Sequence, residues 1–159
     1  MISAEDYLYF VDEALEGMVT IVTELGDELA NRRLDVPGSN PPYAVLYHCL
    51  GVMEYWGGEL VAGRCVERDR DAEFRAHGPV AELVQRTRRA RRQLQADIAY
   101  LDSTAPLRGT PDPEDADLPL ARTQGGALVH LYEELAQHRG QMEVTRDVLL
   151  AGLPGSAGG

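Results

Sequence analysis

The chain has 159 residues, 44% of them hydrophobic and 26% charged, which is typical of a folded soluble domain with one buried core. Its formal net charge of -11 argues against nucleic acid and anionic membranes as partners, because both bind basic surfaces. No apolar run approaches the roughly 18 to 20 residues of a membrane helix, and the first residues lack the pattern of a signal peptide. We therefore expect a cytoplasmic protein.

The first predicted helix runs from about Ser3 to Asn31. Its apolar residues alternate steps of three and four, which is the spacing of one helical face. They are Leu8, Val11, Leu15, Met18, Val22, Leu25 and Leu29. Ser3 and Asp6 are spaced as a capping pair at the start of this helix. The pattern predicts one continuous helix.

The second predicted helix follows the stretch DVPGSNPP and runs from about Pro41 to Ala62. Its inward stripe consists of Val45, Cys49, Val52, Trp56 and Leu60. His48 lies three residues after Val45 and four before Val52, so it shares the inward face. A polar connection over residues 63–78 follows, longer than the usual link between adjacent antiparallel helices.

Two further helices are predicted, from about Pro79 to Leu101 and from about Gln124 to Ala151. The arginines of the third helix mostly lie off its apolar face, which is typical of a solvated surface. Between these helices, residues 102–123 carry four prolines and several acids. A loop of this length in a compact domain is either disordered or a functional cover.

Four long amphipathic helices without a convincing strand predict an all-α protein, a four-helix bundle that forms a single domain over residues 1–152. Its connections between helices 2 and 3 and between helices 3 and 4 are long, so the topology is left open. Residues 153–159 are expected to be a disordered tail. Cys49 and Cys65 do not form a CxxC motif and are expected to be reduced.

Two polar residues interrupt the apolar face of the fourth helix. Glu134 and His138 are four residues apart, so their side chains project from the same face. Burying them together with His48 is costly unless they are paired. A Glu–His ion pair offsets part of this cost, and a divalent metal held by all three offsets more, because two nitrogens and one oxygen are a familiar tripod for zinc. Spacing alone also allows a satisfied core histidine at position 48.

Two neighbours are candidates for holding a ligand in place or contacting a substrate. His130 lies four residues before Glu134, where it is either such a partner, an alternative ligand or a partly exposed surface histidine. Gln141 lies three residues after His138 and is placed to orient a ligand or water. The sequence identifies no catalytic general base.

Three stretches of the chain carry a family resemblance: SNPPYAVLYHCLGVMEYW, RDRDAEFRAHG and GALVHLYEELAQHRGQMEVTRDVLL. In this order they resemble the DinB-like (YfiT-type) superfamily of helical-bundle metalloproteins, nearest the branch with mycothiol-dependent maleylpyruvate isomerase and the thiol S-transferases. The specific parts are His-x7-Trp in the second helix, RDxEF in the connection and HRGQ in the last helix. Where many relatives have HxxxHRGQ, this chain has Glu134, which is similar to the His, Glu, His set of the isomerase branch.

The resemblance implies that His48, Glu134 and His138 hold a divalent metal, zinc first, with nickel, iron, cobalt and manganese as alternatives. It also implies a low-molecular-weight thiol such as mycothiol as cosubstrate, activated as a metal-bound thiolate for S-transfer to, or isomerisation of, a small-molecule electrophile. The alternatives are a hydrolase that uses metal-bound water and a non-catalytic metal-binding stress-response module. A homodimer is the assembly that base rates favour.

Overall fold

The computed structural model describes residues 3–152, and these residues form an all-helical protein without a β-strand. Its α-helices α1 to α5 span, in chain order, Ala4–Ala30, Pro42–Val52, Arg70–Glu73, Val80–Asp97 and Gln124–Ala151. A π-helix, Met53–Val61, continues α2, and a short 3₁₀-helix, Pro119–Ala121, precedes α5. The predicted all-α class is confirmed, whereas the predicted disordered tail lies outside the described residues.

The long helices share one apolar core. Helix α1 contacts α2, α4 and α5, while the π-helix contacts α4 and α5. The largest fully buried side chains include Met18, Ile21, Leu46, Leu50, Leu60, Leu83, Leu94, Leu131, Leu135 and Met142. Burying each such side chain contributes about 1.5–3 kcal/mol. Because α2 packs directly against α5, polar residues on their inward faces meet within this core.

Helix α1 begins as predicted but is not continuous. The Ser3 Oγ accepts a hydrogen bond from the Asp6 N–H at 3.0 Å, and the Ser3 N–H donates to the Asp6 carboxylate at 3.3 Å, so the capping box is formed. At Gly26 the backbone leaves the helical conformation, with φ +64° and ψ 178°. Beyond the kink, Asp27 Oδ1 accepts a hydrogen bond from the Val80 N–H at 2.8 Å and caps α4.

Alanine substitutions at Gly26, which forms the kink, and at Gly140, within α5, are expected to change the free energy of unfolding in opposite directions. We expect Gly26→Ala to lower the free energy of unfolding by about 1–3 kcal/mol, because only glycine adopts that conformation without strain. Gly140→Ala, in the exposed interior of α5, is expected to raise it by about 0.5–1 kcal/mol. An added Cβ meets no atom within 4 Å at either site, so contacts do not confuse the comparison. Urea denaturation measures both values, and equal effects would contradict the backbone explanation.

The second predicted helix is α-helical only in its first half. Residues Met53–Val61 form a π-helix, in which, for example, the Ala62 N–H donates to the Gly57 carbonyl at 3.0 Å. The predicted helical bounds hold, but apolar periodicity does not distinguish these two kinds of helix over so short a stretch, so the π-helix was not predicted. Such insertions are frequent at functional sites, and this one carries Tyr55 and Trp56, which line the cavity described below.

Both long connections fold against the helices. The first contains α3, whose Glu73 is buried. In the second, the N–H groups of Arg108 and Gly109 donate to the Leu60 carbonyl at 2.8 and 3.1 Å, and the Asp112 N–H donates to the Tyr55 hydroxyl at 2.8 Å. The second connection is therefore held on the π-helix. Within the described residues, no helix is long and apolar enough to cross a membrane.

The two cysteines differ in accessibility. Cys49 is buried, and burial raises the pKa of its thiol, whereas Cys65 is exposed, and neither forms a disulfide. Because the thiolate is the reacting species, we expect a disulfide reagent to titrate one thiol per chain in the folded protein and a second one only after denaturation. Cys65→Ser should abolish the fast reaction. A fast reaction that survives in this variant would show that Cys49 is accessible.

Candidate metal centre

Three side chains converge where α2 faces α5. Helix α2 supplies His48, and one turn of α5 separates Glu134 from His138. The Glu134 Oε2 lies 3.4 Å from His138 Nε2 and 3.8 Å from His48 Nε2. One ligand atom from each of the three residues lies within 4.8 Å of the others. The structure thus brings together the three residues that the sequence analysis grouped.

Each of the two histidines is fixed through its other ring nitrogen. The Nδ1 of His48 lies 2.8 Å from the Glu73 Oε2, and that of His138 lies 2.9 Å from the Gln141 Oε1. Because these oxygens only accept hydrogen bonds, each Nδ1 carries the proton and donates it. Both Nε2 atoms then present a lone pair towards Glu134, which is the form in which a neutral imidazole binds a metal.

Ring contacts hold His48 firmly in place. Its imidazole is 3% exposed and stacks on the Phe74 ring at 4.5 Å between centroids. It also meets the His138 ring edge-on at 5.0 Å. Glu134 and His138 are partly exposed, so the cluster has a buried side at His48 and an accessible side at α5. The cluster can therefore be reached from solvent on its α5 side.

The charges around the cluster favour a cation. The neighbouring imidazoles of His138 and His48 lower the pKa of Glu134 well below its ordinary value, although burial opposes this. Burial likewise tends to raise the pKa of Glu73, but His48 and Arg68 outweigh it and lower the pKa. For His48, burial disfavours the charged ring, yet Glu134 and Glu73 raise its pKa on balance. Both carboxylates are therefore ionised at neutral pH, and their negative charge favours a cation at the Nε2 of His48, whether a proton or a metal ion.

The donor set fits a divalent metal of the zinc type. Zinc binds imidazole nitrogen and carboxylate oxygen at about 2.0–2.2 Å, so two of its ligand atoms lie no more than about 4.4 Å apart. The Nε2–Oε2 distances of 3.4 and 3.8 Å fall inside this limit. They are also longer than ordinary hydrogen bonds. The three groups face one another at a spacing that an ion between them would satisfy.

His130 borders the cluster without belonging to the set of three. Its Nδ1 lies 2.9 Å from the Glu133 Oε2, and its Nε2 lies 3.8 Å from the other oxygen of Glu134, Oε1. Its ring packs edge-on against Trp56 at 4.6 Å. His130, Glu133 and Glu134 are also close enough to share an ion. The side chain is 18% exposed and lines the neighbouring cavity, which suits a contact with a bound ligand.

A cavity of about 270 Å³ adjoins the cluster. His48 and Glu134 line it from one side, and Tyr55 and Trp56 form part of its wall. The remaining lining is strongly charged and comprises Glu59, Arg68, Arg70, Asp112, Glu114, Asp115 and His130, with Val52 and Val66 as apolar members. Three of these acids come from the connection over residues 102–123, so this connection covers part of the cavity.

The two residues behind His48 were not predicted from the sequence. Glu73 and Arg68 lie in the polar connection and are separated from His48 by 25 and 20 positions in the chain. Arg68 binds Glu73 through two nitrogens, at 2.8 and 3.1 Å. Its guanidinium also lies 5.5 Å from the centre of the Tyr55 ring. The sequence signal for this contact is the RDxEF motif, in which Glu73 is the second of two acids.

Fold and site together define an all-helical protein with a His–Glu–His cluster beside a polar cavity. The chain belongs to the mycothiol-S-transferase family, whose family model matches residues 7–151. This match spans all three residues of the cluster and both long connections. It confirms the resemblance to the mycothiol-related branch of DinB-like proteins. No curated protein matches the chain.

Proposed function

We propose that this protein is a metal-dependent thiol S-transferase that uses mycothiol, or a closely similar low-molecular-weight thiol, as cosubstrate. His48, Glu134 and His138 are the proposed ligands of its divalent metal, with zinc as the first candidate. The proposal includes a four-helix bundle of the DinB-like type forming one domain over residues 1–152. Family membership supports the thiol, and the donor set supports the metal.

The observation that carries the proposal is the convergence of two imidazole Nε2 atoms on the Glu134 carboxylate beside a cavity. A free thiol has a pKa near about 8.5 and is mostly protonated at neutral pH. A divalent ion held by His48, Glu134 and His138 would lower the pKa of a thiol beside it and so raise the reactive fraction of that thiol. With two neutral imidazoles and one carboxylate as ligands, the centre keeps about one positive charge, which favours an anionic sulfur.

The residues of the chain position the thiol and protect it. Trp56 and Tyr55 provide apolar walls next to the cluster. The carboxylates of Asp112 and Asp115, on the covering connection, accept hydrogen bonds from hydroxyl or amide groups of the cosubstrate. His130, fixed by Glu133, presents its ring to the cavity and contacts whichever substrate lies beside Glu134.

The test combines metal analysis with a thiol assay. We expect protein purified without chelators to carry about one divalent ion per chain. It should accelerate the loss of a thiol-reactive aromatic halide in the presence of mycothiol, and cysteine at the same concentration serves as the comparison thiol. Metal content well below one per chain would contradict the metal centre. Full metal content with no effect of either thiol would contradict the S-transferase and favour a hydrolase or a non-catalytic module.

A further inference from the structure

A buried carboxylate behind the cluster has no role in the proposed ligand set. Glu73 is 4% exposed although it lies in a polar connection, at the end of the four-residue helix α3. The Asp69 side chain caps this helix by accepting from the Ala72 N–H at 2.9 Å. The cap fixes α3 so that Glu73 points inward, where its Oε2 accepts the Nδ1–H of His48 at 2.8 Å.

Helix α2 leaves room for this carboxylate at Gly51. Gly51 lies nearly one turn after His48, and a Cβ built there lies only 1.9 Å from the Glu73 Oε1 and 2.6 Å from its Cδ. Any other residue would therefore displace the carboxylate from its present position. Glycine inside a helix is destabilising by roughly 0.5–1 kcal/mol relative to alanine. The close approach of Glu73 explains why a glycine occupies this position inside the helix.

Arg68 also holds the carboxylate in place. Its Nε and Nη2 bind the two oxygens of Glu73, at 2.8 and 3.1 Å. The carboxylate is thus fixed by a guanidinium, a glycine and an imidazole at once. A buried charge is costly unless it is paired and hydrogen-bonded, and here both conditions are met.

We infer that Glu73 is the positioning residue of the metal centre: seated over Gly51 and held by Arg68, it keeps the His48 proton on Nδ1 and the Nε2 lone pair directed at Glu134. The inference rests on the proposed function for its metal and on the hydrogen bond alone for its tautomer. A carboxylate bound to the remote nitrogen of a ligating histidine orients the ring and raises its basicity. Removing such a partner typically weakens metal binding by about 10- to 100-fold.

The principal experiment compares Glu73→Ala with Asp71→Asn. Asp71 is exposed on the same short helix, so its substitution removes the same charge without touching His48. We expect Glu73→Ala to weaken zinc binding about 10- to 100-fold in competition with a chelator, and Asp71→Asn to change it less than about twofold. Glu73→Gln retains an acceptor for the Nδ1–H but loses the charge, so its loss should be smaller than that of Glu73→Ala.

A second readout needs no metal. Nitrogen-15 NMR of the metal-free protein should find the His48 ring protonated at Nδ1, and Glu73→Ala should shift it towards protonation at Nε2. Gly51→Ala keeps every carboxylate but displaces that of Glu73, so it should disturb the tautomer and weaken zinc binding, and circular dichroism checks that its helices remain folded. This variant separates positioning from folding if Glu73→Ala does not fold.

The outcomes distinguish this inference from the proposed function. If the unsubstituted protein does not bind zinc, the proposed metal centre fails, and the tautomer measurement still decides the role of Glu73. Zinc affinity and His48 tautomer that are unchanged in both Glu73→Gln and Gly51→Ala would overturn the inference while leaving the metal centre intact.

Discussion

Replacing His48 by alanine is expected to reduce the metal content of the purified protein from about one ion per chain to near zero. His48 is the ligand that α2 contributes, and the other two proposed ligands both belong to α5. Two groups from one helix turn hold an ion far less well than three from two helices, since each lost donor must be replaced by water. Elemental analysis after gel filtration in chelator-free buffer measures the effect.

The matched control is His77→Ala. His77 is exposed in the connection before α4, and its Nδ1 lies 3.2 Å from the Arg75 carbonyl, so its loss should leave the metal content unchanged. Circular dichroism should find the helices of His48→Ala intact, because Arg68 continues to pair with the buried Glu73. Full metal content in folded His48→Ala would remove His48 from the ligand set.

The helices and the meeting of α2 with α5 were within reach of the sequence. Helix α5 spans the predicted residues Gln124–Ala151, because an apolar stripe follows Thr123, whose side chain caps the helix by accepting from the Gly126 N–H at 3.1 Å. His48, Glu134 and His138 each occupy an inward position in the helical repeat. Residues that share the inward faces of two packed helices must lie near each other, so the cluster followed from periodicity and family resemblance together.

The parts that periodicity did not predict depend on contacts between distant segments. Glu73 lies in a stretch without an apolar repeat, and its burial is explained only by His48, Arg68 and the space at Gly51. The kink at Gly26 leaves the apolar stripe unchanged, because Leu25 and Leu29 are buried on both sides of it. One sequence pattern is therefore compatible with a straight or a kinked helix.

The lining of the cavity carries part of the negative net charge of the chain. The net charge of -11 argued against anionic partners, and the cavity concentrates this charge in Glu59, Asp112, Glu114 and Asp115. Arg68 is paired with the buried Glu73 and is not free to bind an anion, whereas Arg70 forms only an exposed pair with Glu114 at 3.2 Å. Because acids outnumber arginines in the lining, we expect the outer part of the cavity to favour neutral or cationic groups. An anionic sulfur would depend for its countercharge on an ion held by the cluster.

Glu134→Gln should reduce the mycothiol-dependent rate by more than about 100-fold, because loss of an outer partner alone already weakens a metal site by about 10- to 100-fold. Glu134 is the only carboxylate of the proposed ligand set, and its oxygens lie 3.4–3.8 Å from His138, His48 and His130. An amide of the same shape keeps the packing but offers a neutral oxygen in place of an ionised one. Initial rates at saturating thiol, read with the metal content of the same sample, measure the loss.

Glu143→Gln is the control, since Glu143 lies on the same helix and pairs with Arg139 at 3.0 Å instead of with the cluster. It should retain the rate and the metal of the unsubstituted protein. If Glu134→Gln loses its metal and its rate together, Glu134 acts as a ligand. If it keeps both, Glu134 is a structural partner of the histidines and the proposed ligand set is wrong.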